Sequence, residues 1–68
     1  MEKVKISTEY IKLEQLMKFA GLVGSGSDAK VLIGQGIVKV NGTVEVQRGK
    51  KLRPGDTVEF EGNQIVIE

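Results

Sequence analysis

The chain has 68 residues, 40% hydrophobic, 28% charged and 4% aromatic; a domain this short buries only about 60% of its unfolded surface and has little room for a deep catalytic cleft. It contains no cysteine and no histidine, which removes disulfide frameworks, thiol chemistry and the commonest general base and metal ligand, and argues against triad or metal-assisted catalysis. Its net charge of +1 is an average over unlike parts: residues 1–11 sum to zero, residues 12–53 carry eight bases against three acids, and the last fifteen carry four acids and no base, a polarity that points the middle of the chain toward nucleic acid.

The opening MEKVKISTEY lacks the apolar run of a signal peptide, and no later stretch approaches the roughly 18 apolar residues of a membrane span. A cytoplasmic protein without membrane contact is expected. Val4-Lys5-Ile6-Ser7 alternates and reads as a short strand. Leu13, Leu16, Met17 and Ala20 then fall at i, i+3, i+4 and i+7, one face of a helix ended by Gly21. Its start is open: Thr8 can cap it, or an extended Glu9-Tyr10-Ile11 can lead into a helix from about Lys12.

Ser25-Gly26-Ser27-Asp28 opens a second helix, with either serine as cap and an acid in the first turn. Ala29, Leu32 and Ile33 form its inner face, and Gly34 and Gly36 stop it after about two turns. Two helices this short and this close should pack on each other. Asn41-Gly42 then separates two alternating β-branched runs within residues 37–46, a strong hairpin signal because both central residues of a type I′ turn need positive φ. Residues 47–53 read as a loop with four bases, followed by Pro54-Gly55 in the order of a type II turn. Thr57 to Phe60 and Gln64 to Ile67 alternate around Glu61-Gly62-Asn63 and predict a second hairpin with Val58, Phe60, Ile65 and Ile67 on one face. The sum is an α+β domain, residues 1–68, with two short helices packed on a small antiparallel sheet of four to five strands.

The run Arg48-Gly49-Lys50-Lys51-Leu52-Arg53 is the sharpest chemical feature. Four cations in a glycine-containing loop suit a phosphate backbone, although a charge run taken alone is more often a solvated surface. The second helix start, with Ser25, Ser27 and Lys30, has the donors for a phosphate; ordinary capping explains it as well. Gly21, Gly24 and Gly26 match neither a dinucleotide-binding nor an NTPase loop, so no nucleotide cofactor is expected. Glu59 and Glu61 at i and i+2 read as solvated sheet surface rather than a catalytic pair. Of the three rings, Phe19 and Phe60 fit core positions, leaving Tyr10 and little basis for a stacking platform. Any nucleic acid bound here would be held by shape and phosphate contacts, as suits structured RNA.

The segments KLE (12–14), SGSDAKVLI (25–33), QGIVKVNG (35–42) and RPGD (53–56) together resemble the αL motif of the RNA-binding domain family named after small-subunit ribosomal protein S-four. The likeness covers residues 12–58 and extends to the small stand-alone bacterial members called YaaA-like, with their leading strand and Glu-Tyr-Ile before the first helix. The resemblance implies non-enzymatic binding of structured RNA, above all ribosomal RNA or a ribosomal subunit, with a role in ribosome assembly or maturation. Its contacts would fall on Lys12, Ser27, Lys30, Lys39 and Asn41, joined by Arg48, Lys50, Lys51 and Arg53 of the basic loop. Gly21 and Gly26 stand where the family pattern has bases, which shifts weight from the helices to that loop. No cofactor, metal or small-molecule substrate is implied, and the chain is expected to stand without a catalytic domain. The competing reading is a protein-interaction adaptor that presents the same basic helix-pair surface to an acidic partner.

Overall fold

Alternation at both ends of the chain and a helical period in its middle resolve into nine short elements. The computed structural model describes residues 2–68. In chain order they are β1 (Glu2–Val4), β2 (Ile11–Lys12), α1 (Leu13–Phe19), α2 (Gly26–Gly34), β3 (Lys39–Val40), β4 (Thr43–Val44), β5 (Lys51–Leu52), β6 (Thr57–Phe60) and β7 (Asn63–Ile67). Five strands form one sheet in the order β1-β7-β6-β3-β4, and β2 pairs with β5 in a separate ribbon. This is the expected α+β arrangement, with two departures: the β2–β5 ribbon is a second sheet, and the main sheet is mixed. β1 and β7 run parallel, Val4 opposite Ile67, because nearly the whole chain lies between them and acts as the crossover that a parallel pair requires. The strand expected at Val4 to Ser7 lies earlier, at Glu2–Val4, where its register sets it opposite Ile65 to Ile67; past it the Glu68 amide donates to the Val4 carbonyl at 2.8 Å and the Glu68 carbonyl accepts from the Ile6 amide at 3.0 Å.

Both predicted hairpins form. Asn41 and Gly42 have φ of 52° and 83°, and Glu61 and Gly62 have 49° and 80°, the paired positive values of a turn whose twist matches that of its strands. The second turn is therefore tighter than the three-residue loop expected, with Phe60 directly opposite Asn63. Gly55 at φ 101°, with the Asp56 amide bonded back to the Arg53 carbonyl at 3.0 Å, completes the type II turn after Pro54.

Val58, Phe60, Ile65 and Ile67 share the covered face of the sheet, as their alternation requires, and are all buried. Against them pack Leu13, Leu16 and Met17 of α1 and Ala29 and Ile33 of α2, none with any exposed surface. Side chains of this size contribute about 1.5–3 kcal/mol each on burial, and they carry the stability of a domain with no covalent cross-link. Leu32 is half-buried at the edge of this cluster. Phe19 corrects the sequence reading: it was expected in the core and instead stands 70% exposed. Leu13, Leu16, Met17 and Ala20 fill the helix face that meets the sheet, which leaves Phe19 on the flank. Among the described residues no helix is long and apolar enough to cross a membrane.

Candidate nucleic-acid interface

A helix of seven residues leaves most of its first amides without partners inside it. In α1 these amides are met by the basic loop: Leu13 donates to the Lys50 carbonyl at 2.8 Å and Glu14 to the Arg48 carbonyl at 3.0 Å. Gln15 Oε1 takes the Lys12 amide at 3.4 Å, so the helix starts at Leu13 after an extended Ile11-Lys12, the second of the two starts the sequence leaves open. The loop's backbone is thus spent on the helix. Its charged side chains, anchored at that end, face solvent.

Part of the expected loop is itself strand. β5 pairs antiparallel with β2, placing Ile11 opposite Leu52 and Lys12 opposite Lys51. Leu52 is fully buried and fixes the ribbon to the core, and this forces Lys12 and Lys51 outward beside each other. Like charges directly across a strand pair are destabilising. Of the nearby acids among the described residues only Glu14 is close enough to pair, its carboxylate 4.0 Å from the Arg48 guanidinium; Lys12, Lys30, Lys50, Lys51 and Arg53 have no ion-pair partner among those residues. Lys51 instead lies over the ring of Tyr10, its Nζ 4.9 Å from the centroid, a cation–π contact.

Lys30 on α2 joins the cluster through a groove of about 510 Å³ that it lines with Arg48, Gly34, Val46, Gln47 and Gly49. On the other side of α1, Lys12 and Lys18 border an open cleft of about 820 Å³ with Thr8, Glu9, Tyr10, Ile11, Gln15 and Phe19. Ser27 is exposed in the first turn of α2. The cap of that helix is Ser25, whose hydroxyl accepts from the Asp28 amide at 3.3 Å.

Asn41 and Asp56, fifteen residues apart, form the joint between the two turns. Asn41 Nδ2 donates to Asp56 at 3.1 Å while its Oδ1 accepts from the Thr57 amide at 2.9 Å, and the other Asp56 oxygen accepts from the Arg53 amide at 2.8 Å. The Arg53 amide holds the Asp56 carboxyl below the ordinary value of 3.8, helped by the Asn41 side chain and by the charges of Lys50 and Arg53, against a small opposing effect of burial. Asn41 is therefore largely occupied in holding the first hairpin's turn against β6, and the same joint sets Arg53 and Lys50 around one carboxylate.

Lys39 stands apart. It is exposed on β3, directly opposite Glu59, and lines a small groove with Glu59 and Glu61, in the acidic part of the molecule. Of the nine residues expected at the site, Lys12, Lys30, Arg48, Lys50, Lys51 and Arg53 are thus gathered around the start of α1 and the loop that caps it. Asn41 supports them, Ser27 lies on the neighbouring helix, and Lys39 is not brought in. Gln15, Lys18 and Phe19, which line the cleft with Lys12, were not among the nine. The signal was available, since Lys12, Gln15 and Phe19 at i, i+3 and i+7 share a flank of the helix.

A family model described as S4 domain matches residues 4–68. A Bacillus subtilis (strain 168) protein named "Probable ribosome maturation protein RlbA" is 42% identical over 59 residues, 87% of this chain and 83% of that one. An Escherichia coli (strain K12) protein named "Putative RNA-binding protein YbcJ" is 38% identical over 58 residues, 85% of this chain and 83% of that one. The solution structure of E. coli YbcJ, described as revealing an αL motif involved in RNA binding, matches with a TM-score of 0.75 at 34% identity, covering 98% of this chain and 86% of that chain.

Proposed function

The chain belongs to the S4 domain family, and from that premise we propose that it binds structured RNA, ribosomal RNA first of all, as a non-catalytic participant in ribosome maturation. The observation that carries this reading is the placement of Lys12 directly opposite Lys51, in a cluster whose lysines have no acidic partner among the described residues. Such a pairing costs the fold stability, and a polyanion is the natural compensation. The name of the E. coli relative supports RNA as the ligand, and that of the B. subtilis relative supports the ribosome as the setting. Phosphates and 2′-hydroxyls would be met by Lys12, Lys30, Arg48, Lys50, Lys51 and Arg53, with Ser27 beside them, while the acidic β6–β7 hairpin faces away.

The test is the salt dependence of binding to ribosomal RNA fragments. With about five phosphates neutralised, log K should fall against log[salt] with a slope of about −4, taking roughly 0.7–0.9 per contact. Binding indifferent to salt would remove the mechanism. The double variant Lys50→Glu with Lys51→Glu should weaken binding to every fragment while remaining folded, because it is the backbone of residue 50 that caps α1. Unchanged affinity would take the loop out of the site. The adaptor reading draws on the exposed Val31, Val44 and Val46; co-purification with a protein complex that survives ribonuclease would favour it.

A further inference from the structure

Phe19 is the largest exposed apolar side chain among the described residues, and it stands in charged company. The cleft it lines with Tyr10 and Ile11 is bordered by Lys12, Lys18 and Gln15, with Glu9 the one acid on its wall. At about 820 Å³ it falls within the roughly 300–1,000 Å³ that small-ligand sites span. Lys51 already covers the Tyr10 ring at 4.9 Å, so the open aromatic platform is Phe19. A protein partner fits this company poorly, since lysine is depleted from the protein–protein interfaces in which aromatic anchors are enriched. A nucleotide fits both halves: an aromatic ring stacks any base, and flanking cations take its phosphate.

We propose that this cleft receives one unpaired nucleobase of a bound RNA, stacked on Phe19, with the adjoining phosphate held by Lys12 and Lys18. The proposal rests on the RNA reading above and adds to it a subsite that distinguishes an unpaired nucleotide from a continuous duplex. Lys12 belongs to both surfaces, so the subsite lies directly beside the phosphate-binding cluster. Phe19, being exposed, can be replaced without opening the core.

Tyr10 is the sole tyrosine and the chain has no tryptophan, so its emission reports on the cleft. The full chain is titrated with three RNA hairpins: fully paired, with one bulged adenosine, and with an abasic nucleotide at the bulge. Base stacking contributes roughly 5- to 150-fold per base, and for an open platform about tenfold tighter binding of the bulged adenosine over the abasic hairpin is expected, with quenching of Tyr10. Phe19→Ala should erase that difference and leave affinity for the paired hairpin unchanged. Equal affinity of the native chain for the bulged and abasic hairpins overturns the proposal. So does a Phe19→Ala variant that keeps the discrimination but loses a protein partner. Should no hairpin bind at all, the RNA reading itself fails, and adenosine monophosphate against ribose 5-phosphate judges the cleft separately: quenching by the first alone upholds base stacking, and an equal response to both overturns it.

Discussion

The two ends of this small molecule handle charge in opposite ways. On the main sheet, Lys39 faces Glu59 across β3 and β6, and Lys3 lies 4.0 Å from Glu68 at the β1 edge; opposite signs meet, as expected where charge serves the fold. On the β2–β5 ribbon, Lys12 faces Lys51, and among the described residues the lysines there have no ion-pair partner. The same rule of cross-strand pairing is obeyed in one place and broken in the other. The difference teaches where to look for function, because a fold keeps a repulsive pair where something outside the chain completes it.

The comparison can be broken or sharpened in graded steps. Leu52→Ala should have the largest effect, about 2–5 kcal/mol by loss of a fully buried side chain and the cavity left behind, measured by denaturant unfolding. Since Leu52 anchors the ribbon, RNA affinity should fall with stability. Asn41→Ala comes next, at about 1–2 kcal/mol, because it leaves the Thr57 amide without its acceptor and Asp56 without one donor. Asp56 also predicts an acid sensitivity. Its folded-state pKa lies below 3.8, so its contribution is complete above that value and is lost as pH falls from it through the depressed one. Asn41→Ala should flatten this acid limb, whereas a limb of unchanged steepness would place the sensitivity elsewhere.

The smallest effects are the most diagnostic. Lys12→Glu turns the repulsive pair with Lys51 into an attractive one, leaves Lys51 over Tyr10 and should raise thermal stability by a few tenths of a kcal/mol while weakening RNA binding. Lys39→Glu does the reverse on the main sheet: it sets two acids opposite each other, lowers stability by a similar amount and leaves RNA binding nearly untouched. If both variants changed binding equally, the contrast between the two ends would have no functional meaning.

Much of the fold is legible in local pattern. Both hairpins, the inner faces of the helices and the Pro54-Gly55 turn follow from residues within a few positions of one another. What stays hidden depends on long-range meeting. β2 and β5 have two residues each, too short for any period, so the basic run reads as loop although Leu52 is buried within it. The parallel β1–β7 pair has no local signature. At the site the cations were visible as composition, but the confrontation of Lys12 with Lys51 and the joint between Asn41 and Asp56 exist only once distant segments pair. Phe19 was misplaced because an aromatic residue one step off an apolar stripe looks like part of it.

The capping of α1 by the loop carbonyls has a dynamic consequence. A seven-residue helix is too short to persist alone, so when the loop lifts away the start of the helix must loosen with it. The Leu13 and Glu14 amides should therefore exchange with solvent at a common rate set by the loop's opening rather than by local fraying. Whatever grips the loop's side chains from outside then slows exchange inside the helix, so occupancy at the surface is written into the rigidity of the backbone at the start of α1.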